Sequence, residues 1–259
     1  MIKKIEPFKK FFAKNPLRLY HNIKKLNVFF DEFKRFKEDL NNDPDFSSIS
    51  FLPFLDDKLD ESGNIRSHYF LQDLIVANKI FENAPKKHVD IGSRVDGFVA
   101  HVAAFREIEV FDIRPLTRKI KNIKFIRHDF TSPSDKYRSY ADSISCLHAL
   151  EHFGLGRYND PIDAQGHIKG FHAITDMLQR NGKFYFSVPI GPQRIEFNAH
   201  RVFSLSYLLG LIKEKYSIDD FSYLDDDNNL FSNFQLSESN IKNNFNCTFG
   251  CAIFDLRKK

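Results

Sequence analysis

The segment HVDIGSRVDGF, residues 88–98, joins the end of an apolar run to the start of a helical pattern. Asp90 precedes Gly92 by two positions, and Gly97 follows about one turn later. Glycine permits a tight turn and lets a ligand approach the backbone, and a helix N-terminus offers free N–H groups. The loop has two of the three glycines of G-x-G-x-x-G. It therefore indicates either a nucleotide-cofactor loop or a simple strand-to-helix turn.

Acidic residues end the next two apolar runs at regular intervals. Asp112 ends EIEVFDI, 20 residues after Gly92, and Asp129 ends IKFIRHD, 17 residues later. A carboxylate at the first of these positions can accept hydrogen bonds from ribose hydroxyls. Ligands bind at the carboxyl ends of strands in open α/β sheets. Together with the loop at Gly92, the two acidic residues give three regularly spaced positions at strand ends. This regularity favours the cofactor loop over the simple turn.

Short apolar runs alternate with helical patterns from Ser67 onward. The predicted strands cover 87–92, 107–113, 123–129, 143–147 and 183–190. The predicted helices between them cover 96–105 and 166–180, the second ending at Asn181-Gly182. After a further helix, FSLSYLLGLIKEKY, the runs SIDDFSYL and NCTFGCAIFDL resemble a closing antiparallel pair. The pattern predicts a mainly parallel α/β sheet covered by helices on both faces.

Residues 1–66 differ in style from the rest and are predicted to form a helical extension followed by a connecting segment. Amphipathic helices are expected over 4–14 and 17–40. Residues 1–40 contain 11 Lys/Arg and 5 Asp/Glu, whereas the remainder contains 27 and 29. This basic surface indicates either a peripheral membrane or partner contact, or a solvated helix face; no nucleic-acid partner is expected. The predicted domains are therefore 1–66 and 67–259.

Composition places the chain among globular proteins of ordinary hydrophobicity, with 42% hydrophobic and 28% charged residues. The three cysteines cannot all pair, and no C-x-x-C motif indicates a zinc ribbon or a disulfide framework. No apolar run approaches the roughly 18 residues of a membrane helix. Charges interrupt the N-terminal apolar residues, which argues against an export signal. We expect a cytoplasmic location.

From Ser67 to Lys259 the sequence resembles the class I S-adenosylmethionine-dependent methyltransferases. VDIGSRVDGF is similar to their first motif, with Arg94 where the second glycine usually stands, and LQRNGKFYFSVPIG is similar to their fifth-strand region. The resemblance implies a Rossmann-like sheet with an antiparallel closing strand and S-adenosylmethionine as cofactor. It also implies an acidic ribose contact, an adenine contact, and a fourth-strand segment, SCLHALEHFG, beside the methionine end. The implied cofactor-binding residues are Asp90, Gly92, Ser93, Arg94, Gly97, Asp112, Ile113, Asp129, Phe130 and His148.

Three further stretches resemble a bacterial methyltransferase-like family of unknown function that is linked to surface-polysaccharide genes. They are DIGSR.DGF, LEHFGLGRYNDPID..GH and RIEFNAHRVFS. This resemblance implies O-methyl transfer to a sugar, a nucleotide-linked sugar or a phosphorylated glycan precursor. Two other functions stay open: a non-catalytic methyltransferase-like module of a glycan-assembly complex, and a dehydrogenase that uses the same loop for NAD.

The string His148-Ala149-Leu150-Glu151-His152 matches H-x-x-E-H, in which two histidines on a helix hold zinc in some peptidases. Here it follows a buried strand directly, and FGLGRYNDPIDAQG comes after it, which leaves little helix to converge the histidines. We therefore predict no peptidase. The His, Asp and Glu residues of these loops could also hold Mg²⁺, but no spacing demands it, and the prediction is a site without metal. The histidines fit the rim of a cofactor cleft better, with loop packing as the alternative.

Methyl transfer to a hydroxyl needs an aligned nucleophile and a base for its proton, and histidine has the suitable pKa. The loops after the fourth and fifth strands supply the candidates. We predict His152 and His200 as catalytic residues, with Glu151 orienting or sharing the task. Arginine suits a phosphate or carboxylate on the acceptor. The predicted acceptor-binding residues are Arg194, Glu196, Asn198, Arg201 and His167.

Overall fold

A computed structural model describes residues 16–40, 43–46, 48–59, 62–63, 67–132 and 135–259 of the chain. The chain divides into two compact units, Met1–Asn64 and Ile65–Lys259. Among the described residues, no helix combines the length and the apolar character needed to cross a bilayer.

The first unit contains one long helix, α1 (Pro16–Leu40), and two short 3-10 turns, Pro44–Phe46 and Asp57–Leu59. The helix predicted over 17–40 is confirmed, and the one predicted over 4–14 lies outside the described residues. The connecting segment returns along α1, because the Phe51 ring contacts Phe29 and Phe30 at 6.0 Å and Phe33 at 4.8 Å between centroids.

The second unit is a sheet with helices on both faces. Its helices are α2 (His68–Asn83), α3 (Phe98–Ala103), α4 (Gly166–Met177), α5 (Leu205–Ile212) and α6 (Glu238–Asn243), with 3-10 turns at Leu150–His152 and Asn244–Asn246. Its strands are β1 (His88–Ile91), β2 (Ile108–Asp112), β3 (Ile123–Arg127), β4 (Ala141–Leu147), β5 (Leu178–Ile190), β6 (Arg194–Glu196), β7 (His200–Val202), β8 (Tyr216–Leu224), β9 (Leu230–Phe231) and β10 (Gly250–Lys258).

Eight strands form one sheet in the order β3-β2-β1-β4-β5-β10-β8-β9. The first five are parallel, and β10 pairs antiparallel with both β5 and β8. The predicted mainly parallel sheet and its closing antiparallel pair are thus confirmed. Strands β6 and β7 form a separate hairpin that the sequence did not predict.

The sheet divides the core into two layers because strand side chains alternate between faces. Phe184 and Phe186 of β5 pack with Phe171 of α4 in one layer. Tyr185, between them, packs with Val76 and other residues of α2 and α3 in the opposite layer. The parallel strands are consequently buried on both sides, and their carboxyl ends open onto one edge.

The predicted end of the helix over 166–180 is wrong. Helix α4 stops at Met177, and Leu178 already pairs with Ala141 of β4 in extended conformation. The register then jumps to Ser143 opposite Lys183, which leaves Asn181 and Gly182 in a bulge of β5. Burial of Leu178 against the strand outweighs the helical pattern there.

Candidate active site

A cavity of about 620 Å³ lies at the carboxyl ends of β1 to β4. Its volume falls in the range of roughly 300–1,000 Å³ that is usual for small-molecule and cofactor sites. Nine of the ten predicted cofactor residues line it: Gly92, Ser93, Arg94, Gly97, Asp112, Ile113, Asp129, Phe130 and His148. The tenth, Asp90, lies beneath the loop.

The loop after β1 depends on Gly92. This residue has φ +80°, and a Cβ at this position would lie 2.7 Å from the Cβ of Ala149, in the turn after β4. The Gly92 amide donates to the Phe111 carbonyl at 2.9 Å, so the loop crosses from β1 towards β2. A glycine is required here because both the backbone conformation and the space exclude a side chain.

Asp90 supports this loop from below. Its carboxylate accepts from the Ser93 amide at 3.0 Å, the Ser93 hydroxyl at 2.8 Å and the Ser145 hydroxyl at 2.6 Å. Burial raises the pKa of Asp90 to about 7, against the effect of these hydrogen bonds. The described pocket lining does not include Asp90, which therefore holds the loop rather than facing the cavity.

Asp112, the expected ribose contact, ends β2 and is bound by a neighbour. The Nε atom of Arg114 lies 3.0 and 3.1 Å from the two Asp112 carboxylate oxygens, and its Nη2 donates to Oδ2 as well. The same Nη2 donates to the Gly92 carbonyl at 3.1 Å. Arg114 thus ties the two strand ends together at the place where the cofactor sugar was expected.

Asp129, the expected adenine contact, follows β3. Its Oδ1 accepts from the amide and the hydroxyl of Thr131 at 2.8 and 2.7 Å. The Phe130 ring is buried and packs on Phe111 at 5.9 Å and His128 at 4.8 Å between centroids. An acidic group thus stands beside an aromatic cluster at this end of the cavity.

His148 begins the turn after β4 and is held by two buried partners. Its Nδ1 lies 3.0 Å from Glu151 Oε1, and its Nε2 lies 3.2 Å from the sulfur of Cys251 on β10. His148 also adopts φ +48°, an uncommon conformation for a residue with a side chain. The sequence predicted no metal at H-x-x-E-H, but the structure places a potential metal ligand, the Cys251 sulfur, beside its first histidine.

His152 also lines the cavity, and its tautomer is set by the backbone. Its Nδ1 donates to the Ala199 carbonyl at 2.7 Å, which leaves Nε2 as the nitrogen with a free lone pair. Burial lowers the pKa of His152, against the opposing effect of Glu151, whose Oε1 lies 3.8 Å from Nε2. A neutral imidazole with a free nitrogen can accept a proton.

Glu151 is shared by both histidines and is 1% exposed. Burial raises the pKa of Glu151, but its contact with His148 outweighs burial, so the net pKa is lowered. Its Oε2 has no hydrogen-bond partner among the described residues. Such an unpaired buried oxygen is uncommon, and it leaves an acceptor position beside the two histidines.

The structure places the other predicted site residues outside the cavity lining: Glu151, His200, Arg194, Glu196, Asn198, Arg201 and His167. Arg194 pairs with Glu196 at 2.8 Å along the same strand, β6. His200 lies 3.1 Å from Glu196 without hydrogen-bond geometry, and its ring packs on Phe249.

Two of these residues make hydrogen bonds within the fold, although Arg201 Nε and His167 Nδ1 have no partner among the described residues. Arg201 is 3% exposed, and its guanidinium donates to the carbonyls of Glu151, Phe153 and Ala164. His167 hydrogen-bonds the Tyr207 hydroxyl at 2.7 Å. Arg201 therefore anchors the turn that carries the two pocket histidines, instead of reaching an acceptor.

A family profile described as "Caenorhabditis protein of unknown function, DUF268" matches residues 102–251, more than half of the chain. The chain belongs to the DUF268 family. No curated protein matches it.

Solved structures share the fold of this DUF268 chain at low identity. The 1,6-didemethyltoxoflavin-N1-methyltransferase of Burkholderia thailandensis, with bound 1,6-didemethyltoxoflavin and S-adenosylhomocysteine, is 13% identical, with a TM-score of 0.51 over 75% of this chain and 80% of that one. The [4+2]-cyclase SpnF is also 13% identical, with a TM-score of 0.51 over 73% and 80%. The predicted Rossmann-like methyltransferase fold is confirmed. Since the two neighbours differ in reaction, the fold alone does not decide the chemistry.

The cavity of the DUF268 chain is also lined by residues that were not predicted from the sequence: Tyr69, Gln72, Asp73, Arg114, His128, Arg157 and Tyr158. Arg114 follows Asp112 by two positions, so its proximity to the carboxylate was available as a signal. The Tyr158 ring lies under both arginines, 4.6 Å from Arg114 and 5.3 Å from Arg157. The residues of α2 precede the first strand, and no spacing in the sequence brings them to this edge.

Proposed function

We propose that the chain is an S-adenosylmethionine-dependent O-methyltransferase with its cofactor in the cavity at the ends of β1 to β4. The observation that carries the proposal is that the predicted cofactor residues meet in one place. Nine residues chosen by strand-end position and motif, from four separate strands, line one cavity of cofactor size. If the segment 88–98 were only a strand-to-helix turn, nothing would require Asp112, Asp129 and His148 to line the same cavity.

The residues present fit the cofactor. Gly92 leaves the loop backbone bare at the cavity wall, Asp112 offers a carboxylate for the ribose hydroxyls, and Asp129 with Phe130 offers a polar and an aromatic contact for adenine. His148, in the segment that the resemblance places beside the methionine end, also lines the cavity. S-adenosylmethionine supplies an electrophilic methyl group on a sulfonium.

His152 is the base that this arrangement favours. Its Nε2 receives the proton of an acceptor hydroxyl while Nδ1–H stays fixed on the Ala199 carbonyl. The imidazolium that forms is stabilised by the ionised Glu151, 3.8 Å away. This division follows the logic of a catalytic triad, in which a buried carboxylate stabilises a charged histidine.

The acceptor belongs to the class that the resemblance implies: a sugar, a nucleotide-linked sugar or a phosphorylated glycan precursor. Arg94 and Arg157 line the cavity, so an anionic group on the acceptor has cationic partners there. We propose these two arginines in place of Arg194 and Arg201 because they line the cavity and the other two do not. Arg94 pairs with Asp96 at 2.7 Å, so an anionic group on the acceptor has to compete with that carboxylate.

One observation favours the second candidate, a non-catalytic methyltransferase-like module. Arg114 already binds both oxygens of Asp112, the group that the cofactor ribose requires. Isothermal titration with S-adenosylhomocysteine separates the two functions. Binding at micromolar concentration, with none for NAD, supports the methyltransferase. Absence of heat at millimolar ligand favours the module, and preferential NAD binding indicates a dehydrogenase.

A further inference from the structure

Three potential metal ligands meet beside the cavity, from distant parts of the sequence. His68 comes from the first turn of α2, His148 from the turn after β4, and Cys251 from β10. One ligand atom from each lies within 4.8 Å of the others. His148 Nε2 lies 3.2 Å from the Cys251 sulfur, and the rings of His68 and His148 stack at 5.9 Å between centroids.

His148 has the outer contact that orients a metal-binding imidazole. A metal-ligating histidine usually donates its second ring N–H to a carboxylate or a backbone carbonyl. His148 Nδ1 lies 3.0 Å from Glu151, which fixes the proton on Nδ1 and turns the Nε2 lone pair towards Cys251. The Cys251 sulfur is also 3.6 Å from Gln72 Oε1.

We propose that His68, His148 and Cys251 form a three-residue zinc site at the wall of the cavity. Two imidazole nitrogens and one thiolate are the ligand types that Zn²⁺ prefers, and three protein ligands leave the fourth tetrahedral position for water or another ligand. On binding, the Cys251 thiol loses its proton to the buffer and the sulfur coordinates the ion. No other bond is made or broken.

A nucleophilic Cys-His-Glu triad is the rival chemistry for the same atoms. It needs the sulfur to reach a substrate carbon, and Cys251 is 0% exposed. A metal ion needs only the lone pairs that already face one another, so burial does not oppose it. A third possibility is a buried hydrogen-bonded cluster without metal, in which the thiol donates to His148 Nε2.

The site is tested by zinc binding to the full chain after treatment with chelator, without S-adenosylmethionine or any activity assay. We expect one equivalent of zinc to bind at micromolar concentration or tighter, in competition with a chromophoric chelator. Cobalt in place of zinc should give a thiolate-to-metal charge-transfer band. Since neither readout involves the cofactor, failure of the methyltransferase proposal would leave this result unchanged.

Variants assign the ligands. Cys251→Ala and His68→Gln should each weaken zinc binding at least about a hundredfold, and Cys251→Ala should abolish the charge-transfer band. Loss of an outer partner, Glu151→Gln, should weaken binding about 10–100-fold. Cys247→Ala and His101→Gln are the matched controls and should bind zinc as the parent chain does.

His68→Gln keeps the test decisive if Cys251→Ala fails to fold, because His68 is only partly buried. Circular dichroism checks folding in each case. Absence of stoichiometric zinc at micromolar concentration would overturn the proposal and leave the hydrogen-bonded cluster. Equal zinc affinity in the parent chain and in His68→Gln would overturn it as well, since the metal would then bind elsewhere.

Discussion

The Arg114 guanidinium binds both carboxylate oxygens of Asp112, with Nε at 3.0 and 3.1 Å, at the end of strand β2. The Arg114 amide adds a further contact to Oδ1 at 2.8 Å. A carboxylate has about four lone-pair positions, so most of the acceptor capacity of Asp112 is already used. A ribose that binds here has to displace part of this contact.

Substitution at this pair should therefore change cofactor affinity in opposite directions. Asp112→Ala should weaken S-adenosylhomocysteine binding at least about tenfold, because hydrogen bonds to a charged group contribute roughly 1.5–3 kcal/mol each. Arg114→Ala should strengthen binding, because the ribose hydroxyls no longer compete with the guanidinium. Titration calorimetry measures both. Equal loss of affinity in the two variants would mean that Arg114 is itself part of the binding surface.

His152→Gln should lower kcat about 10²–10⁴-fold, as expected for loss of a general base, and should leave S-adenosylhomocysteine affinity nearly unchanged. His200→Gln is the comparison, because His200 was predicted from the sequence to share this role but lies outside the cavity lining. Radiolabelled methyl transfer to a panel of sugar and nucleotide-sugar acceptors provides the assay. A larger loss in His200→Gln than in His152→Gln would reverse the assignment.

The pH dependence of kcat should report the same base. Burial lowers the pKa of His152 below its usual 6.5, although Glu151 opposes the shift while Arg157 and His148 add to it. The neutral, proton-accepting form is therefore kept at neutral pH, and kcat should fall only as the pH drops through this lowered value. A midpoint above 6.5 would contradict the burial argument, and His152→Gln should lose this acidic limb.

Gly92→Ala should destabilise the fold by about 1–3 kcal/mol and reduce cofactor binding. The alanine meets both a φ of +80° and the Ala149 side chain at 2.7 Å. Gly210→Ala is the matched control, since Gly210 lies in helix α5 with no atom within 4 Å of its added Cβ. The control should gain about 0.5–1 kcal/mol. Thermal unfolding compares the two, and a neutral Gly92→Ala would show that the loop can relax.

Asp90 should make stability fall with rising pH. Its pKa is about 7 in the folded chain against an ordinary value of 3.8. The folded state therefore binds more protons between these values, and the free energy of unfolding decreases as the pH rises through them, by about 4 kcal/mol in total. Asp90→Asn should flatten this pH dependence of stability. The control is Asp227→Asn, which changes an exposed aspartate and should leave the dependence unchanged. Parallel pH curves for parent chain and Asp90→Asn would contradict the prediction.

The sequence was sufficient for the sheet because burial on both faces leaves short runs in which apolar residues predominate, as in Ile108–Asp112 and Ala141–Leu147. It was also sufficient for the cofactor side of the cavity, because parallel strand ends meet at one edge whatever the details of their packing. Asp112, Asp129 and His148 reach the cavity for this reason.

The acceptor side could not be predicted in the same way, because it depends on tertiary contacts. The Arg201 guanidinium binds carbonyls of the 151–153 turn and of Ala164, about 40 to 50 positions away in the sequence. Likewise, no local sequence pattern predicts that Cys251 contacts His148. The contact arises because β10 pairs antiparallel with β5, which is a tertiary feature. The zinc site that we propose at this contact departs from the sequence-based prediction of a site without metal.

A crystal structure with S-adenosylhomocysteine bound tests the central claim most directly. We expect the ribose hydroxyls within hydrogen-bond distance of Asp112, the adenine beside Asp129 and Phe130, and the sulfur on the side of the cavity that His152 lines. A nucleoside bound away from the ends of β1 to β4, or a ribose that makes no contact with Asp112, would contradict the account.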